Sequence, residues 1–280
     1  MRERFDLHLH TVFSDGRRTP AELAELLAAA KVTTAALTDH DTVDGIAPLE
    51  EAVRDRGIRI IPGVEVSVEH EGQDLHILAY YVDRGDDRLL AMLRKIRDSR
   101  RVRVQGMVAR LGELGIPVTE AEVLRRAACS ESVGRVHVAQ ALVENQWVGH
   151  HGDAFRYYIG AEGPAYRPKE TAGIEECLAI LREGGAISVL AHPGAYRLAS
   201  IFDRLVAAGL DGLEVYHPSH EPEQVAEFER LAEESGLVRT GGTDYHGDRE
   251  GEMMPGTLHL DQSLLEMLER RRATRLREDA

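Results

Sequence analysis

Two histidines one residue apart, His8 and His10, lie in the run Phe5-Asp6-Leu7-His8-Leu9-His10. Side chains of an extended strand alternate between faces, so Phe5, Leu7 and Leu9 turn one way and both imidazoles the other. Two nitrogen ligands then reach one spot. A histidine beside apolar residues is more often packed or solvated than a ligand, so the pair alone is a weak signal. A potential ligand stands near the end of almost every other strand-like segment: His40 after Asp39, Glu65, His76, His192, then Asp244 and His246, with Asp15 just beyond the first strand. Any one of them reads equally as a turn former; nine together point to a metal centre. Imidazoles mixed with carboxylates and no thiolate suit manganese, iron(II) or zinc, whereas magnesium favours oxygen donors. Nine donors are too many for one ion. They suffice for two or three divalent ions if a carboxylate such as Glu65 bridges, with positions left for water and substrate.

The elements that must position these groups alternate between short β-branched segments and amphipathic helices, the pattern of an α/β fold with a parallel sheet or barrel. Strands are expected at 5–10, 34–39, 59–66, 75–81, 186–191, 212–216 and 238–243, and the C-terminal ends of parallel barrel strands converge on one face. Helices are expected at 46–56, 174–183, 200–208 and 222–235, and a first helix starts at Thr19, with Pro20 at its first position and Glu22 completing a capping box. Residues 86–173 exceed what one crossover requires and read as an inserted, mainly helical subdomain, with helices near 86–112, 119–127 and 134–146. The barrel is then 1–85 and 174–280. The cluster Arg270-Arg271-Arg272 reads as an exposed helix end, and His70, His150, His151 and His259 read as solvated. His217 and His220, after the sixth strand, could line the pocket rim without binding metal.

The chain has 280 residues, 43% of them hydrophobic, enough for a substantial core. Its net charge of −14 argues against non-specific duplex DNA binding, which needs a broad basic surface. Basic residues concentrate in Arg94, Lys95, Arg97, Arg100, Arg101, Arg103 and Arg110, a stretch that reads equally as a solvated helix face or as substrate-facing. Cys129 and Cys177 fit neither a disulfide framework nor a thiolate site. The first strand leaves no room for a signal peptide and no apolar run approaches a membrane span, so a cytoplasmic protein without membrane contact is expected.

The series His8-Leu9-His10, Ser14-Asp15-Gly16, Thr38-Asp39-His40-Asp41-Thr42, Pro62-Gly63-Val64-Glu65, His76, Ala191-His192-Pro193 and Thr243-Asp244-Tyr245-His246 resembles the polymerase and histidinol phosphatase (PHP) family of metal-dependent phosphoesterases. Ser132-Val133-Gly134-Arg135-Val136-His137, followed by Ala165-Tyr166-Arg167-Pro168, resembles the helical insertion of the branch that includes nucleoside 3′,5′-bisphosphate phosphatases and 5′→3′ exoribonucleases.

That resemblance implies a distorted (β/α)7 barrel, in agreement with the seven strands counted independently. It implies one ion on His8, His10, Glu65 and Asp244, a second on Glu65, His76 and His192, and a third on Asp15, His40 and His246; some members carry histidine where Asp15 stands here. Asp15, His40, Glu65, His192, Asp244 and His246 are the expected catalytic residues. The chemistry implied is in-line attack of an activated water on phosphorus. Asp39 and Asp41 are candidates for orienting His40. Arg100, Arg103, Arg135, His137, Arg197 and His217 are the candidate substrate contacts, Arg135 first and Arg197 last. A phosphorylated nucleotide or short oligonucleotide is the expected substrate, and a monomer the expected state. A histidinol-phosphate-type or other small-molecule phosphatase is the alternative within this chemistry. An amide- or lactone-cleaving barrel hydrolase would lack a reason for Asp15, His40 and His246, and a non-catalytic module would have lost ligands.

Overall fold

The computed structural model describes residues 4–71, 73–127, 130–169, 171–247 and 252–278. Seven strands, β1 (Phe5–Asp6), β2 (Thr34–Leu37), β3 (Arg59–His70), β4 (Gln73–Tyr80), β5 (Ile187–Leu190), β6 (Gly212–Tyr216) and β7 (Val238–Gly241), form one sheet in chain order. The sheet curls until the segments beyond β1 and β7 meet: Leu9 bridges Tyr245, and the His10 N–H donates to the Tyr245 carbonyl at 3.0 Å. A Cβ on Gly242 would run into the His8 backbone, so this seam closes only because position 242 has no side chain. The product is a nearly closed seven-stranded α/β barrel.

The strands were expected to be parallel throughout, and β4 is not. It runs antiparallel to both β3 and β5. The turn between His70 and Gln73 is far shorter than the crossover of a dozen or more residues that a parallel pair requires. His70, expected to be solvated, ends β3 and is half-buried. Glu65 and His76 therefore sit inside strands rather than at strand ends. The register pairs Ser67 with His76, so reversing β4 carries the start of that strand to the same rim as the far half of β3.

Period-two alternation sorts the strand residues. Val64, Val66 and Val68 pack in the core shared with the helices, which turns Glu65 to the opposite face. Leu78, Tyr80, Ile187 and Val189 form the inner cluster, which Leu264, Leu265 and Leu268 of α10 (Gln262–Glu278) close. The strict alternation read into residues 5–10 breaks at a bend at Leu7: Phe5 and Leu7 join this inner cluster and Leu9 the helical one. Both imidazoles still share a side, with ring centroids 5.1 Å apart. Within the basic cluster Arg270-Arg271-Arg272, Arg270 and Arg272 are exposed as expected, but the cluster lies inside α10 rather than at its end and Arg271 is docked. Arg271 and the fully buried Arg275 both reach Asp211, at 2.7 and 2.6 Å, and Arg272 lies over the Tyr81 ring.

The outer layer comprises α1 (Pro20–Ala29), with its Thr19–Glu22 capping box, α2 (Ile46–Val53), α7 (Ile174–Glu183), α8 (Phe202–Ala207) and α9 (Pro222–Glu234). Between β4 and β5 lie α3 (Asp87–Glu113), α4 (Glu120–Arg126), α5 (Arg135–Glu144), α6 (His151–Ala154) and a π-helical turn (Phe155–Ile159). The 27-residue α3 serves two cores: Leu89, Leu93 and Ile96 pack in the barrel core, while Val104, Met107 and Leu111 pack with Val123, Leu142 and Ile159 in a separate one. The two cores thus part inside α3, near Arg97–Arg103, and not at its start. Cys177 is a buried free thiol, and Cys129 lies outside the described residues. No helix among the described residues is long and apolar enough to cross a membrane.

Candidate metal centre and active site

One mouth of the barrel brings all nine expected ligands together, Glu65 and His76 from within β3 and β4 and the others from the segments that follow strands. His8 Nε2 lies 3.1 Å from Glu65 Oε2 and 3.2 Å from Asp244 Oδ1, and His10 Nε2 lies 3.2 and 3.1 Å from the same two atoms. On the other side of Glu65, Oε1 lies 2.9 Å from His76 Nδ1 and 3.1 Å from His192 Nε2. His246 Nε2 is 3.3 Å from Asp15 Oδ1, and His40 Nε2 is 3.7 Å from Asp15 Oδ2. Three groups of donor atoms result: His8, His10, Glu65 and Asp244; His10, Asp15, His40 and His246; and His40, Glu65 and His76. The first matches the set implied by the resemblance. In the other two His40 is shared, and His192 approaches from the Glu65–His76 side.

The donor chemistry fits divalent cations. The Nε2 of His10, Nδ1 of His40 and Oδ1 of Asp15 are buried without a hydrogen-bond partner, the state of atoms built to point at an ion. Donors held about 2.0–2.2 Å from a shared tetrahedral ion stand roughly 3.3–3.6 Å from one another, close to the separations seen here. Charge tells the same story. Burial would raise Glu65, yet the imidazoles around it, His40 first, hold it well below the ordinary range. Burial would lower His10, but Asp244 and Glu65 raise it to about 10, the pull that clustered carboxylates exert on positive charge placed among them. His40, pushed down to about 3 by burial against the pull of Glu65 and Asp15, offers a neutral lone pair.

Groups behind the ligands fix their orientation. Glu214 of β6 accepts from His8 at Nδ1 (2.9 Å) with one oxygen and from the His192 N–H (2.7 Å) with the other. Nothing in the sequence pattern singled out Glu214; a carboxylate between Leu213 and Val215 in a buried strand was the available signal. The His192 and Asp244 backbones take left-handed conformations, φ +31° and +51°, strained for these residues and typical of sites over-determined by their surroundings. Asp39 and Asp41 do not hydrogen-bond the His40 ring. Asp39 accepts from Thr11 and Ser14 and so shapes the loop bearing Asp15, whereas Asp41 accepts from Ser67 and Arg100. Tyr196, also missed, places its hydroxyl 3.0 Å from His192 Nδ1 and accepts from the His76 N–H.

A cleft of about 370 Å³ opens over this centre, with Arg100, Arg103, Arg135, His137 and His217 among its lining residues. On one flank Asp74 of β4 receives Arg135 at 2.9 Å, Arg103 at 3.2 Å and Lys169 at 3.5 Å. Burial alone would raise Asp74, but Lys169, Arg103 and Arg135 hold it well below its usual value. Arg100 bonds Asp41 at 2.5 Å and Ser67 at 2.6 Å. His137 accepts from the Gly134 N–H with Nδ1. His217 faces Asp244 at 3.5 Å, whereas His220 is a brace, bonded to the Val215 carbonyl and the Gly194 N–H. Arg197 is exposed and outside the cleft, in a shallow depression with His70, because Tyr196 before it takes the inward position.

A barrel mouth that gathers imidazoles and carboxylates beside a cationic flank defines a metal-dependent phosphoesterase. The chain belongs to the PHP domain family, whose model matches residues 6–147. It is 34% identical to the 3′,5′-nucleoside bisphosphate phosphatase of Chromobacterium violaceum, over 88% of each chain. It is 33% identical to the 5′-3′ exoribonuclease Rnm of Escherichia coli, over 86% of this chain and 85% of that one. A protein of Bifidobacterium adolescentis assigned as a metal-dependent phosphoesterase superposes with a TM-score of 0.87 at 32% identity, over 96% of both chains.

Proposed function

We propose that this enzyme releases the 3′-phosphate of nucleoside 3′,5′-bisphosphates and degrades short 5′-phosphorylated RNA from its 5′ end. The observation that carries this reading is the imbalance on the cleft flank, where three cations, Arg103, Arg135 and Lys169, share the single carboxylate of Asp74. A phosphate other than the scissile one can take up that excess charge, so a substrate with two phosphates engages both poles of the cleft. The names of the two curated relatives agree with such substrates. In this reading residues 86–173 form an inserted subdomain that sets specificity through Arg100, Arg103, Arg135 and His137, and the protein acts on cytoplasmic nucleotides.

The nine donors would hold two or three ions of manganese, iron(II) or zinc. Such ions lower the pKa of bound water and neutralise charge that develops on phosphoryl oxygens. The protein's part is to aim these groups. Glu65, buried and reached by imidazoles on both sides, is placed to bridge two positions, and Glu214 fixes the ring of His8. Arg135 and Lys169 hold the second phosphate and set the scissile one against the donor cluster.

Manganese-loaded protein incubated with adenosine 3′,5′-bisphosphate, 3′-AMP, histidinol phosphate and a 5′-phosphorylated oligoribonucleotide tests the reading. The bisphosphate and the oligomer should be turned over at least tenfold faster than the monophosphates. Equal turnover of histidinol phosphate or 3′-AMP would overturn it.

A further inference from the structure

Strand β6 runs into a short turn, His217-Pro218-Ser219-His220, two of whose side chains, His217 and Ser219, line the metal cleft. The turn is held from both ends. The His220 N–H donates to the His217 carbonyl at 3.0 Å, and the His220 ring is bonded to the Val215 carbonyl at 2.9 Å and to the Gly194 N–H at 3.2 Å. A Cβ at position 194 would come within 2.8 Å of that ring, so a glycine there lets the turn lock onto the segment that follows His192.

The turn also decides which nitrogen of His217 carries hydrogen. Nδ1 accepts from the Ser219 N–H at 3.1 Å, with the Ser219 hydroxyl at 2.7 Å, and a nitrogen that accepts from a backbone N–H has no proton of its own. The hydrogen-bond pattern thus assigns the ring proton to Nε2. A protonated nitrogen has no lone pair for a cation, which sets His217 apart from the nine ligands around it. The side chain is only 7% exposed, and Nε2 is buried with no hydrogen-bond partner among the described residues. Asp244 Oδ2, which it faces, is 3.5 Å away, beyond an ordinary N–H···O bond. The ring centroid lies 5.6 Å from that of His192 and 6.4 Å from that of His8, so His217 stands beside the imidazoles on both sides of Glu65.

We propose that His217 is a catalytic residue whose Nε2–H donates to a non-bridging oxygen of the scissile phosphate as that group sits against the donor cluster. The proposal rests on the proposed function in placing a scissile phosphate there. No proton leaves the ring. The equatorial phosphoryl oxygens carry the charge of the transition state, and a donor oriented beforehand by a braced turn meets that charge without reorganising. This contact serves any phosphate ester, in contrast to Arg135, whose partner is the second phosphate.

The test compares wild type with His217→Ala and with His217→Phe, which keeps a ring and loses the donor. Steady-state turnover of adenosine 3′,5′-bisphosphate and of an aryl phosphate is read beside calorimetric titrations with manganese and, in the manganese-loaded protein, with inorganic phosphate. Both variants should lose about tenfold or more in kcat/KM, alike on the two substrates, and should bind inorganic phosphate more weakly, while manganese affinity stays within about twofold. In zinc-loaded protein carrying nitrogen-15-labelled histidine, the imidazole signal missing from His217→Ala should show a protonated Nε2 and an unprotonated Nδ1 and should move when phosphate is added. A manganese affinity that falls in step with kcat/KM would show that His217 acts through Asp244 instead. A proton on Nδ1, a loss confined to the bisphosphate, or a loss below about threefold would equally overturn the contact. If wild type leaves the bisphosphate intact, it is the proposed function that fails, while the aryl ester and inorganic phosphate still decide the role of His217.

Discussion

His8 presents its Nδ1 to Glu214 at 2.9 Å while its Nε2 faces Glu65 and Asp244, so one buried carboxylate sets both the tautomer and the aim of the ring. A carboxylate behind a ligating imidazole raises its basicity and holds it in register. Glu214→Ala should weaken binding of the first metal ion about 10- to 100-fold, measured by calorimetric titration with manganese. Unchanged affinity would show that His8 needs no such partner.

The nine donors were legible in the sequence because residue type and order survive without a structure. Their placement was only partly so. The residues between the expected strands 59–66 and 75–81 are too few for a parallel crossover, which makes β4 antiparallel and leaves Glu65 and His76 inside strands rather than at strand ends. Glu214 was hidden by the apolar residues around it, since a strand buried on both faces reads as one continuous core run. Arg197 followed a motif histidine in the chain, but the side chain two positions on from Gly194 that turns inward is Tyr196.

Arg135 donates to Asp74 at 2.9 Å with its guanidinium also over the Phe155 ring. Arg135→Ala should lower kcat/KM for the bisphosphate roughly ten- to hundredfold, a loss of about 1.5–3 kcal/mol, mostly through KM. A simple aryl phosphate, with no second phosphate to hold, should lose much less. Comparable losses on both substrates would place Arg135 at the scissile phosphate or in the fold.

Lys169 supplies a pH limb. Burial, followed by repulsion from Arg100, pulls its ammonium down to about 8 against the attraction of Asp74 and Asp41, with Arg103 adding to the repulsion. Below that pH the side chain is cationic and attracts a phosphate; above it the attraction is lost, so kcat/KM for the bisphosphate should fall as pH rises through about 8. Lys169→Arg keeps its charge and should abolish this limb. For stability the sign is opposite: between pH 8 and the ordinary 10.5 the unfolded chain binds more protons, so Lys169 makes the fold more stable as pH rises through that window. A limb that persists in Lys169→Arg would assign it to another group.

Asp211 joins α10 to the barrel, accepting from Arg275, Arg271 and the Ser188 backbone N–H. Asp211→Ala leaves the buried Arg275 guanidinium without its carboxylate. The expected cost is about 3–5 kcal/mol in denaturant unfolding. A change below ~1 kcal/mol would mean that water reaches Arg275 and that α10 is not anchored by charge.

All of the proposed chemistry depends on the metal centre. Crystals grown with manganese and measured at its absorption edge should show two or three anomalous peaks per chain, one of them about 2.0–2.3 Å from donors of His8, His10, Glu65 and Asp244. Glu65→Ala should remove at least that peak and one neighbour, because a bridging carboxylate serves both. A map without anomalous density at this cluster after reconstitution with manganese, iron and zinc would contradict a metal-dependent mechanism at this site.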